Sequence, residues 1–141
     1  MSCFVKLFDG NKEYSQILMS IERGRLPMGV LGLPFSSKAH VINYLTEKAD
    51  KKALCLVPDE ATARKLTSDI NSLGGSAAFF PAKDFVFLDS ATKSRQYEME
   101  RLSALSKIVF DNADIIVATA DAAMQLTIPK NVFKRKTLTM K

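Results

Sequence analysis

A chain of 141 residues, 47% of them hydrophobic and 25% charged, has the make-up of one ordinary globular domain, long enough to bury about two-thirds of its unfolded surface. Its apolar runs all fall well short of the ~20 residues of a membrane helix, and Lys6 and Asp9 interrupt the stretch where a signal peptide would keep its apolar segment. The chain therefore reads as cytoplasmic, with no membrane partner. The two cysteines, Cys3 and Cys55, are too far apart for a CxxC site, and with a single histidine, His40, neither a metal nor a cofactor is expected.

The net charge is +5, and its position matters more than its size. From Ile128 to Lys141 the chain carries Lys130, Lys134, Arg135, Lys136 and Lys141 with no acidic residue, so the excess belongs to the C-terminal tail and the body is neutral. Such a tail is either a solvated strand edge or linker, or a non-specific contact for phosphates, with Lys134, Arg135 and Lys136 as candidate nucleic-acid residues.

Taken in chain order, Tyr14, Ile17, Leu18 and Ile21 make one apolar stripe of a short helix that ends at Gly24. Met28-Gly29-Val30-Leu31 is a candidate strand leading through Gly32-Leu33-Pro34-Phe35-Ser36-Ser37 into a second helix, with Val41, Ile42, Leu45 and Ala49 on its inner face. Ala53 to Val57 is a continuous apolar strand, with Cys55 as a small buried hydrophobe. Asp59 caps the next helix, whose face is Ala63, Leu66, Ile70 and Leu73 and whose stop is Gly74-Gly75. Ser76 to Phe80 is a further strand, followed by an irregular stretch from Pro81 to Lys93 that includes Phe85 and Phe87. Ser94 is the expected cap of a long helix with Leu102, Leu105, Ile108 and Val109 inward. Ile115 to Ala118 is the next strand. Asp121 to Leu126 forms one or two helical turns closed by Pro129, with Asp121 as N-cap, and Thr137 to Met140 is a candidate last strand.

Apolar strands alternating with amphipathic helices predict an α/β fold: a parallel sheet with helices on both faces. In such a sheet, ligands sit where strand carboxyl ends meet helix N-termini. Gly32-x-x-x-x-Ser37-Lys38-Ala39 stands at that position with the length of a phosphate loop, Gly-x-x-x-x-Gly-Lys-Ser/Thr. Three departures impair it. Ser37 replaces the glycine that lets backbone approach phosphate; Ala39 has no hydroxyl for Mg²⁺; Pro34 removes an amide from the cradle. No Asp-Glu pair follows a later strand, Asp121 being the one acidic candidate. No catalytic residue is expected, and Gly32, Ser36, Ser37, Lys38 and Ala39 form a vestigial phosphate loop of the degenerate, partial P-loop NTPase type. His40 reads as a helix-surface residue.

The ordered set Gly32-Leu33-Pro34-x-Ser36-x-Lys38-Ala39, Val57-Pro58-Asp59-Glu60-Ala61, Phe80-Pro81-Ala82, Ser94-Arg95 with Arg101-Leu102-x-Ala104-Leu105, and Ala113-Asp114-Ile115-Ile116-Val117-Ala118 resembles the amino-terminal end of bacterial transcription-repair coupling factor. That region is itself similar to the excision repair protein UvrB. The resemblance runs from about Gly29 onward. It implies a helicase fold of RecA-like type that keeps no ATPase activity, in a parent that is an ATP-dependent DNA translocase, displaces stalled RNA polymerase from damaged DNA and recruits UvrA. The expected division is a helical segment over residues 1–27 packed on the core, to which the resemblance contributes little, a UvrB-like α/β domain over 28–136, and the start of the next domain or a linker over 137–141. Its implied partners are UvrA, mainly through the domain that follows, the downstream domains of the same protein, and RNA polymerase and DNA through the parent. UvrB has a long aromatic hairpin after its third strand, for which the stretch from Pro81 to Lys93 is too short. Phe35 stands where the family has a small residue. Two other readings stay open: a nucleotide-binding fragment of a helicase or ATPase, and a DNA-binding domain that uses the basic tail.

Overall fold

The computed structural model describes residues 9–83 and 91–137, with only the backbone at 91–95. Within these residues the chain forms α1 (Lys12–Glu22), α2 (Phe35–Ala49), β1 (Ala53–Val57), α3 (Glu60–Ser72), β2 (Ala77–Phe80), α4 (Ala91–Val109), β3 (Ile115–Thr119), α5 (Ala120–Met124) and α6 (Lys130–Lys136). The expectations for Phe85, Phe87 and residues 138–140 lie outside the described residues.

β3 pairs in parallel with β1 on one side, Ala53 opposite Ile115, and with β2 on the other, Ala77 opposite Ile115, giving the order β1-β3-β2. The central strand is therefore the last in sequence, and Ile115 and Val117 are fully buried. The same inward face carries Ala77 together with Ala39 of α2 and Ala63, Leu66 and Ile70 of α3, with Cys55 and Val57 partly buried against them. Burial raises the pKa of the Cys55 thiol, as expected for a core thiol in a low-dielectric setting. The α3 stripe follows the predicted spacing. Asp59 caps the helix as the sequence implies, accepting from the Thr62 amide at 2.8 Å and the Thr62 hydroxyl at 2.7 Å.

The opposite sheet face holds a second cluster of Phe80, Ala104, Ala118 and Ala122. Here α4 and α5 cover β2 and β3 and stop short of β1. Leu54 and Leu56, whose side chains alternate with Cys55 toward this face, stay 61% and 58% exposed. Helices on both faces thus hold for two strands of three. The apolar run of β1 signals burial on both sides, and among the described residues no element supplies the second side.

Five local expectations are corrected. Met28 to Leu31 is irregular and largely exposed, not a strand; Gly29 inside so short a run weakens strand formation, and among the described residues no strand pairs with it. α4 is already under way at Ala91, ahead of Ser94. Of its expected inward residues, Val109 is buried and Leu105 and Ile108 pack against the second cluster, but Leu102 is exposed and Arg101 and Ala104 are buried in its place. Thr119, not Asp121, caps α5, its hydroxyl accepting from the Ala122 amide at 3.3 Å. Finally, α5 ends at Met124, ahead of Leu126 and Pro129, and Pro129 instead opens a helix: the basic residues from Lys130 to Lys136 form α6 and not a strand edge or linker.

α1 packs on α2 through Tyr14, whose ring meets Tyr44 edge-on at 5.3 Å between centroids. An ion pair between Lys48 and Asp9, 2.7 Å, adds a second tie at the C-terminal end of α2.

Candidate functional site

Gly32 adopts a φ of 74°, the left-handed region that favours glycine, and turns the chain toward α2. Pro34 then occupies the N-cap with φ −59° and ψ 151° and offers no side-chain hydrogen bond to the helix. Proline's fixed φ and missing N–H suit a helix entrance, so the helix begins at Phe35, before Ser36, Ser37 and Lys38.

That early start decides what the loop residues do. In a working phosphate loop, the amides around the lysine point at the anion. Here the Ser37 amide donates to the Pro34 carbonyl at 3.0 Å, spending itself on the first helical turn. Ala39 is 0% exposed and sits among Ala63, Leu66 and Ile70. A hydroxyl placed there would face the core, away from any metal at the sheet end. Ser36 is exposed and Ser37 half-buried.

Lys38 projects from the first turn with its ammonium 5.5 Å from the centre of the Phe35 ring, and Lys65 of α3 approaches the same ring at 5.0 Å. The ring's negative face attracts both. Beside them a cavity of about 380 Å³ is lined by Phe35, Lys38, Cys55, Val57, Pro58 and Leu66, among others. It lies at the carboxyl end of β1, the place where ligands enter an open α/β sheet. Its lining is mainly apolar, with Lys38 as its charged residue. The structure thus brings Lys38 to the sheet end with Phe35 and Lys65, takes Ala39 into the core, and leaves Gly32 and Ser36 at the surface.

Asp121 lies exposed in the first turn of α5. No group of three or more His, Cys, Asp or Glu able to hold a metal ion occurs among the described residues. No helix among them is long and apolar enough to cross a membrane.

Two polar features were not foreseen from sequence. Arg101 is 4% exposed, stacked with its guanidinium 4.0 Å from the Phe80 ring centre; its Nη1 donates to the Pro81 carbonyl at 2.6 Å, and its Nη2 has no partner among the described residues. Burial lowers its pKa. Gln125 clasps the backbone of Lys83, accepting from its amide at 2.6 Å and donating to its carbonyl at 3.4 Å. Both anchor the chain just after β2, and neither follows a local pattern that a sequence would reveal.

Lys130, Lys134, Arg135 and Lys136 are all exposed on α6, which packs against α4.

No family model matches the chain. Over 133 residues, 93% of its length, the chain is 23% identical to the transcription-repair-coupling factor of Bacillus subtilis (strain 168). It spans 11% of that protein, and the similarity supports a relationship to one segment of it.

Proposed function

We propose that the chain is a non-catalytic, UvrB-like module of the transcription-repair coupling factor type, retaining a P-loop NTPase scaffold whose phosphate chemistry has been lost. In this reading the parent protein displaces stalled RNA polymerase at DNA lesions and recruits UvrA, while the module supplies structure and contact surface. What supports it most is the start of α2 at Phe35, which commits the Ser37 amide to the helix and puts Ala39 in the core. The similarity to a segment of a transcription-repair-coupling factor supplies the family context.

Thermal melting with Mg-ATP tests the non-catalytic half. A ligand at ten times its Kd would stabilise the fold by about 1.4 kcal/mol, so the expected result is an unchanged melting temperature at millimolar Mg-ATP. A reproducible rise would overturn it. The interaction half is tested by pull-down of UvrA with this chain and with a longer chain of the same protein. Capture by the longer chain is expected, and capture by neither sinks the reading.

The cavity beside Lys38 favours a second reading, a nucleotide-binding fragment in which the lysine attracts phosphate as a point charge. A melting shift with Mg-ATP that vanishes in Lys38→Ala would select it.

A further inference from the structure

β1 commits only half of its backbone to the sheet. The Ala53 amide donates to the Asp114 carbonyl, just before β3, at 2.9 Å, and successive strand residues turn their N–H and C=O groups to opposite edges. Ala53, Cys55 and Val57 therefore bond toward β3. Leu54 and Leu56 point theirs outward, where no strand among the described residues pairs with them. The same two residues carry the exposed leucine side chains, so backbone and side chain stand open along one edge. Such an edge is a template for a further strand.

The neighbouring helices give that edge a shape. α3 packs over β2 and β3, and α2 lies beside α3 on the β1 side, its Phe35 and Ile42 against the same cluster as Cys55 and Val57. The cavity beside Lys38 is lined by Phe35, Lys38 and Ile42 of α2 and by Cys55, Leu56 and Val57 in succession along β1. Cys55 and Val57 face α2 and Leu56 faces away, so a cavity that touches all three reaches round the free edge. Symmetric pairing of two β1 edges would bring both copies of α2 over the same pair of strands. With a helix about 10 Å across and strands about 4.8 Å apart, the two would collide. A single extended segment fits beneath α2.

One end of this slot is cationic. Lys38 lines it together with Val57 and Pro58, and Lys65 meets the same Phe35 ring. Neither ammonium is ion-paired among the described residues.

We propose that the free edge of β1 takes up one extended peptide segment of another protein by strand addition. The backbone of the segment bonds to Leu54 and Leu56, every second side chain is apolar and lies under Phe35 and Ile42, and an acidic residue ends it beside Lys38 and Lys65. Main-chain bonds supply the affinity; the apolar positions and the terminal charge supply the selectivity. The assignment rests on the open edge and not on the fate of the phosphate loop, so it stands or falls apart from the function proposed above.

The test is fluorescence anisotropy of this 141-residue chain with a labelled peptide of about eight residues, alternating Val with Thr and ending in two Asp. So small an interface predicts a Kd on the order of 10–100 µM. N-methylation of alternate peptide residues removes either the donors that face β1 or those that face away. One pattern should weaken binding at least about tenfold and the other less than about twofold. The double variant Lys38→Gln, Lys65→Gln should bind the Asp-ended peptide roughly three- to tenfold more weakly and an Asn-ended peptide like the parent does. Circular dichroism melting checks that this variant is folded. Hydrogen exchange followed by NMR should show the Leu54 and Leu56 amides slowed when the peptide is added. No binding at about 1 mM peptide, equal loss with both methylation patterns, an unchanged preference for the Asp-ended peptide in the folded double variant, or leucine amides that the peptide does not slow would overturn the proposal. So would leucine amides already slow without peptide: slowing that grows with chain concentration gives the edge to a second copy, and slowing at every concentration gives it to this chain itself.

Discussion

Arg101 shows how one side chain can reset a helix face. Its guanidinium lies in the cluster formed by Phe80 and Ala104, where desolvation costs several kcal/mol. The Phe80 ring and the Pro81 carbonyl offset that cost, through a cation–π contact of about 2 kcal/mol when desolvated and a charge-assisted hydrogen bond of about 1.5–3 kcal/mol. Arg101→Ala removes both and opens a cavity, so urea unfolding should show a loss of about 2–4 kcal/mol. Arg101→Met keeps the volume and relieves the buried charge, and should fall between the parent and Ala; a Met variant less stable than the Ala variant would contradict this account. Hydrophobic spacing alone points Leu102 inward, because an arginine scores as a surface residue until its partners across 20 residues of chain are known. Gly75 is a contrasting case. The Gly-Gly stop is visible in the sequence, but only the fold shows that a Cβ there would strike the Asn43 side chain and approach Ile70 Cγ2 at 2.8 Å.

At the scale of elements, capping chemistry was legible where the cap and its hydrogen-bond partner lie within one turn. Asp59 and Thr62 form such a unit, and the hydrogen bonds from the Thr62 amide and hydroxyl hold the Asp59 carboxyl below its ordinary value of 3.8. A depressed folded-state pKa contributes stability that is present above the unfolded value and lost as pH falls toward and through the folded one. Asp59→Ala should therefore melt lower than the parent at pH 7, and the gap should close as pH drops below 3.8. A gap that is constant down to pH 2 would show that the carboxylate charge plays no part. Capping was misread at α5, where both Thr119 and Asp121 are competent caps and the strand end of β3 decides between them. It was also misread at α4, whose described backbone is helical from Ala91. The segment from Gly32 to Ala39 combines both outcomes. Its altered residues are plain in the sequence, whereas the withdrawal of the Ser37 amide depends on where the helix starts.

Over the whole molecule, the sheet is saturated on one face and open on the other at β1. Exposed contiguous leucines on an edge strand favour association with another chain, so the double change Leu54→Thr, Leu56→Thr should lower concentration-dependent self-association in sedimentation velocity. Because both side chains are already mostly solvated, unfolding free energy should move by no more than about 1 kcal/mol; a larger loss would mean that this face is covered in solution. The amino-acid sequence by itself determined the α/β class, the three described strands, and the α3 face and its cap. Each of those rests on residue type and spacing within a single element, where local sterics and periodic burial act. Only the tertiary structure decided the strand order β1-β3-β2, the burial of Arg101, the open face at Leu54 and Leu56, and the ion pair between Lys52 and Asp111. These depend on which distant segments meet, and the free energy of such meetings belongs to pairs of surfaces that no single stretch of sequence contains.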